Sequence, residues 1–184
     1  MVDRIVFLDR DGVINQFPGK GMYVTDLSRF TFVPGSVQAI RMLKEAGFEL
    51  FVVSNQGCVS RGLISKEGLD VLTTHMNDEL GKHGGKLDGV FYCPHQTSDA
   101  CDCKKPKTTL FKKAVEGRDV EWKETFYVGD SEEDMAAGKA LGCKTVLVLS
   151  GRTGLDDVKT LRSTPDYVKK DLWEAAEWII RRKS

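Results

Sequence analysis

Five short apolar runs, Ile5–Leu8, Leu50–Val53, Val90–Tyr92, Phe126–Val128 and Thr145–Leu149, punctuate the chain, and the segments between them carry helical periodicity. No other feature restricts the fold so strongly. The first run reads as a strand buried on both faces, because it has no polar alternation. A helix is expected from Pro34, with Val37, Ile40 and Leu43 on one face and a stop at Gly47. A second follows Ser65, with Leu69, Leu72, Met76 and Leu80 at helical spacing. A third covers roughly 109–115 and a fourth begins at Ser131. The last starts at Asp171, has Glu174 in a capping-box position, and is expected to bury Leu172, Ala175, Trp178 and Ile179. Strand–helix alternation of this kind predicts an α/β fold with a mostly parallel sheet and helices on both faces. At 184 residues and 41% hydrophobic content, with no repeat or linker, residues 1–184 are expected to form one domain.

Composition narrows the functional classes. The formal net charge is zero, so nothing attracts the chain in bulk to nucleic acid or to a membrane surface. No apolar segment approaches the ~20 residues of a membrane span. The expectation is a cytoplasmic, monomeric protein whose partner is a small molecule. Of the five cysteines, Cys58 and Cys143 stand alone and read as small packing residues, whereas Cys93, Cys101 and Cys103 cluster. In a reducing compartment a cluster suggests metal before disulfides.

The polar motifs all follow strand-like runs. The first run stops at Asp9-Arg10-Asp11-Gly12-Val13. Asp9 and Asp11 are expected to point the same way, so their charges crowd together unless a cation lies between them. That suits a Mg²⁺ site in which one carboxylate attacks a phosphoryl group. A plain Asp-Gly turn is the competing reading. The second run ends in Ser54-Asn55-Gln56-Gly57, which can offer a hydroxyl and backbone N–H groups to a phosphate. The fourth ends in Gly129-Asp130-Ser131, with Asp134 three residues on. Ser131 and Asp134 suit a helix start, but Asp130 has no such role and is the natural third carboxylate for the metal. Lys104-Lys105-Pro106 precedes the third helix; two lysines there read as a solvated face or as the cation that phosphate chemistry needs.

Cys93-Pro94-His95 and Cys101-Asp102-Cys103 offer three thiolates and one imidazole, a complete tetrahedral Zn²⁺ set. Four protein ligands leave no open position, so the predicted zinc is structural and pins the loop leading into Lys104 and Lys105.

Taken in order, Asp-x-Asp-Gly-Val, Ser54, Lys105-Pro106 and Gly-Asp-x-x-x-Asp resemble the motifs of the haloacid dehalogenase (HAD) superfamily and span Asp9 to Asp134. The resemblance implies a Rossmann-like three-layer sandwich and phosphatase chemistry. It makes Asp9 the nucleophile and Asp11 the general acid and base. Ser54 and Lys105 would hold the phosphoryl group, Mg²⁺ would sit on Asp9, the Asp11 carbonyl and Asp130, and Asp134 would support them. The zinc loop and the Phe7–Asn15 stretch are similar to the D-glycero-D-manno-heptose 1,7-bisphosphate phosphatase group, with histidinol-phosphate phosphatases closely related. Ser54-Asn55-Gln56-Gly57, Ser60-Arg61-Gly62 and Met22-Tyr23-Val24 favour the heptose branch, whereas the run Lys105–Thr108 is closer to the histidinol branch. Arg10, Tyr23, Asn55, Gln56, Gly57 and Lys104 are the implied substrate contacts. Lys104 replaces the usual Arg, and a Lys cannot make a bidentate fork. No insertion is large enough for a cap domain, so the Gln16–Gly21 loop and the zinc loop are expected to wall the site. A phosphoacceptor signalling domain shares strand-end aspartates, a hydroxyl and a lysine, but carries its phosphorylated Asp on its third strand. A polynucleotide 3′-phosphatase shares the core motifs, yet the chain has no basic tract.

Overall fold

The computed structural model describes residues 4–183. Its strands are β1 (Ile5–Leu8), β2 (Glu49–Asn55), β3 (Gly89–Cys93), β4 (Phe126–Gly129), β5 (Lys144–Val148) and β6 (Tyr167–Lys169). The main helices are α1 (Ser36–Glu45), α2 (Lys66–Lys82), α3 (Thr109–Ala114), α4 (Glu132–Leu141) and α5 (Leu172–Lys183). The strands form one sheet in the order β3-β2-β1-β4-β5-β6, and every pairing is parallel. The five anticipated strands are present, each within a residue or two of its apolar run. β6 is an addition. It is an edge strand with its middle residue exposed, so it lacks the apolar run that marks a buried strand.

Alternation along β1 sends Val6 and Leu8 to one face and Ile5 and Phe7 to the other, and each face acquires its own core. On the first face lie Ile40 and Leu43 of α1, Leu72, Met76 and Leu80 of α2, and Leu172, Ala175 and Ile179 of α5. Trp178 is only partly buried; it packs at the margin, against Tyr167 and Phe126. On the second face, Phe111 of α3 meets Phe7 and Tyr127 edge-on, with ring centroids 5.2 and 4.9 Å apart. The result is the expected three-layer arrangement. Cys58 and Cys143 are buried, as packing residues should be. No helix among the described residues is long and apolar enough to cross a membrane.

From β1 the chain winds outward through β2 to β3, then returns to the other side of β1 for β4, β5 and β6. The strand order therefore reverses between β1 and β4, and a crevice opens at their carboxyl ends. Leu8 is in register with Val128, so Asp9 leaves β1 level with Gly129, one residue before Asp130 on the neighbouring strand.

Candidate active site

Asp9, Asp11, Ser54, Asn55, Gly57, Lys104, Lys105 and Asp130 line one cleft over this crevice, with Tyr23, Phe17, Pro18 and Met22 as a wall. The Gln16–Gly21 loop thus contributes to the site, as expected. Local structure explains the convergence. Gly12 adopts φ +88°, and a β-carbon there would lie 2.2 Å from Asp130 Oδ2, so only glycine lets the turn pass the carboxylate. From the other side, a β-carbon at Gly151 would lie 2.0 Å from the same oxygen. The Arg152 N–H donates to Asp130 Oδ2 at 2.6 Å.

Lys105 is buried, and its Nζ lies 2.7 Å from Asp9 Oδ1, 2.7 Å from Asp134 Oδ1, 2.9 Å from the Val53 carbonyl and 2.9 Å from the Tyr127 hydroxyl. Its backbone is fastened to β2: the Lys105 N–H donates to Asn55 Oδ1, and Asn55 Nδ2 donates to the Lys105 carbonyl. Asp134 is saturated. Its Oδ1 accepts from Lys105 and Tyr127, and its Oδ2 accepts from the Asp130 and Ser131 N–H groups and from Ser131 Oγ. Asp134 therefore supports its neighbours and caps α4 at the same time. Tyr127 is a functional neighbour that sequence reasoning missed, because within a strand it reads as one more core aromatic.

Two sequence expectations change. Asp9 and Asp11 both reach the cleft, but their carboxylates do not share one cation site. Oxygens of Asp9, Asp130 and Asp134 cluster within 4.8 Å of one another, whereas Asp11 is neutralised separately by Arg10. Arg10 and Gln56, expected at the substrate, are wholly buried behind the cleft and bind Asp11 instead. The signal was available: Arg10 lies between two residues that face the cleft, and side chains alternate along extended chain.

The electrostatics follow from this geometry. Burial raises the Asp9 carboxyl to about 6 despite Lys105, with Asp134 and Asp11 adding to the rise. Burial and the neighbouring Asp134 and Asp9 push Asp130 well above the usual carboxylate range. Burial also opposes ionisation of Asp11 and Asp134, but Arg10 holds Asp11 below its usual range and Lys105 does the same for Asp134. Burial would lower the Lys105 ammonium, yet Asp134 and Asp9 raise it further. Three buried carboxylates face one buried ammonium, so the negative charge is in excess and the all-oxygen donor set fits a hard divalent cation.

Beside the cleft, at the end of β3, Cys93, His95, Cys101 and Cys103 present ligand atoms that also lie within 4.8 Å of one another. The Sγ atoms of Cys93 and Cys103 are each 3.6 Å from that of Cys101, and 3.0 Å from each other. His95 Nδ1 is 3.2 Å from Cys103 Sγ and 3.8 Å from Cys93 Sγ. Tetrahedral Zn²⁺ with bonds of about 2.3 Å needs sulfurs roughly 3.8 Å apart, so the set fits that ion after small adjustments.

A HAD-hydrolase-like family model matches residues 102–175. The D-glycero-beta-D-manno-heptose-1,7-bisphosphate 7-phosphatase of Pasteurella multocida is 39% identical, over 98% of this chain and 99% of its own. The corresponding Vibrio cholerae enzyme is 38% identical over the full length of both chains. The chain belongs to this phosphatase family. Among solved structures, the D,D-heptose 1,7-bisphosphate phosphatase of B. bronchiseptica, in complex with magnesium and phosphate, superposes with a TM-score of 0.89 at 31% identity, over 97% of this chain and 99% of that one. The Burkholderia thailandensis enzyme gives 0.73 at 30% identity, again over 97% and 99%. As a HAD-type phosphoric monoester hydrolase, this heptose-bisphosphate phosphatase homologue carries its candidate catalytic carboxylates at the β1/β4 switch point.

Proposed function

We propose that the enzyme removes the 7-phosphate of D-glycero-D-manno-heptose 1,7-bisphosphate, with Mg²⁺ in the cleft and an aspartyl-phosphate on Asp9. The observation that carries this reading is the meeting of Asp9, Lys105 and Asp130 at the switch point, in a chain alike over its whole length to enzymes of that name. Asp9 Oδ attacks phosphorus while Lys105 and Ser54 hold the phosphoryl oxygens. Asp11 protonates the departing sugar oxygen and later takes a proton from the water that attacks the phosphoenzyme. Asp9, Asp130 and the Asp11 carbonyl would hold Mg²⁺, which would offset the negative charge that otherwise keeps an anionic nucleophile away from a phosphate. Lys104, Tyr23, Asn55 and Gly57 line the part of the cleft left for the sugar and second phosphate.

Phosphate release from purified enzyme tests the substrate. The kcat/KM for the heptose bisphosphate should exceed that for histidinol phosphate by about 10²-fold or more. Equal values, or a preference for histidinol phosphate, would move the chain to the other branch.

Zinc in the Cys93/His95/Cys101/Cys103 set is the second part of the proposal, and its role is structural. The Gln56 N–H donates to the Cys93 carbonyl and the Ser60 N–H to the Pro94 carbonyl, so the zinc loop and the Ser54–Gly57 loop are built against each other. Elemental analysis after mild chelation should find about one Zn²⁺ per chain, while the lost activity returns with Mg²⁺ alone. Cys101→Ser should lose the zinc, melt lower and turn over more slowly. A zinc-free, fully active wild type would remove zinc from the account.

A further inference from the structure

The Asp11 carboxylate is gripped from behind by residues that never reach the cleft. Arg10 Nε lies 3.2 Å from Asp11 Oδ1, and Arg10 Nη2 lies 3.0 and 3.1 Å from its two oxygens. Asn15 Nδ2 donates to Oδ1 at 2.9 Å, and Gln56 Nε2 donates to Oδ2 at 2.8 Å. Gln56 is the hub of this arrangement. Its Oε1 accepts from Arg10 Nη2 at 3.1 Å, and its Nε2 also lies 3.2 Å from Ser54 Oγ. Arg10 and Gln56 are both wholly buried, and Arg10 Nε and Nη2 and both polar atoms of the Gln56 amide are committed to this network, whereas Arg10 Nη1 is buried without a hydrogen-bond partner. The Arg10 guanidinium also lies over the Tyr92 ring, 5.5 Å from its centroid, which limits its freedom to turn away.

We infer that Arg10 and Gln56 are positioning residues that aim Asp11 at the leaving-group oxygen and tie its place to that of Ser54. The inference rests on the phosphatase reading above. In the step concerned, an Asp9 oxygen bonds to phosphorus, the phosphorus–oxygen ester bond breaks, and the proton that Asp11 took from the attacking water in the preceding turnover passes to the departing oxygen. Asp11 is left as a carboxylate, and the hydrogen bonds from Arg10, Asn15 and Gln56 are those a carboxylate accepts. Loosening this grip should matter in proportion to how badly the leaving group needs a proton.

The test compares wild type, Arg10→Lys and Gln56→Met on p-nitrophenyl phosphate, phenyl phosphate and an alkyl phosphate. It uses kcat/KM, which reports only the steps through departure of the leaving group. Arg10→Lys keeps the charge and loses the two-nitrogen fork. Gln56→Met keeps the volume and carries the test should the other variant fail to fold. Both should lose less than about 3-fold on p-nitrophenyl phosphate and about 10- to 100-fold on the alkyl ester, with phenyl phosphate between them. A uniform fall across the series means a purely structural role, and no fall on any ester means that Asp11 needs no such support; either result overturns the inference. A wild type inactive on every phosphate ester would instead reject the phosphatase reading, and the inference with it.

Discussion

Asp9→Asn is expected to give a folded protein whose turnover is lower by about four orders of magnitude or more, because the amide oxygen cannot form the phosphoenzyme. The same substitution should stabilise the metal-free protein. Burial raises the Asp9 carboxyl from its ordinary 3.8 to about 6, so in that interval the folded chain holds a proton that the unfolded chain has lost. Stability contributed by the protonated group is full below pH 4 and is lost as pH rises through about 6. Asp9→Asn should therefore melt above metal-free wild type at pH 7, with the gap closing towards pH 4. Mg²⁺ should raise the wild-type midpoint and move the variant much less. Calorimetric scans at the two pH values, with and without Mg²⁺, check this. A variant that melts below wild type at pH 7 without metal would mean that Asp9 is not a strained buried carboxylate.

The second large effect is expected at Lys105. Replacing it by Met leaves Asp9 and Asp134 buried without their ammonium, and the Tyr127 hydroxyl and the Val53 carbonyl lose a donor. Breaking a buried pair from one side costs about 3–5 kcal/mol, which for a chain of this size is roughly 10 °C in the melting midpoint. Turnover should fall about 10³-fold, since fixed positive charge beside the transferring phosphoryl group goes with it. Asp134→Asn should be costly in wild type and much less so beside Lys105→Met, with a coupling of about 1 kcal/mol or more in urea denaturation. Strict additivity would contradict the ion pair.

What was legible in the sequence, and what was not, follows from where each signal resides. Buried parallel strands announce themselves as apolar runs, so β1 to β5 and the strand ends bearing Asp9, Ser54 and Asp130 could be placed by inspection. β6 could not, because a three-residue edge strand carries no apolar run. The zinc set was legible because its ligands are close in sequence and chemically rare together. The network behind Asp11 was legible only at Arg10, through the alternation of an extended chain; Gln56, in a strand-end loop, reads as substrate-facing until the fold shows which side is covered. Tyr127 was hidden for the opposite reason. Its ring belongs to the core against Phe111, and only its hydroxyl reaches Lys105 and Asp134.

The central claim, that a phosphoryl group passes through Asp9 on its way from carbon 7 of a heptose bisphosphate to water, can be met in one experiment. Enzyme, Mg²⁺ and D-glycero-D-manno-heptose 1,7-bisphosphate are mixed, quenched in acid within the first turnover, and divided for peptide mass mapping and for analysis of the sugar. A phosphoryl adduct is expected on the peptide carrying Asp9, at Asp9 itself, accompanied by heptose 1-phosphate. An adduct on any other residue, an unmodified protein beside released phosphate, or heptose 7-phosphate as the product would contradict it.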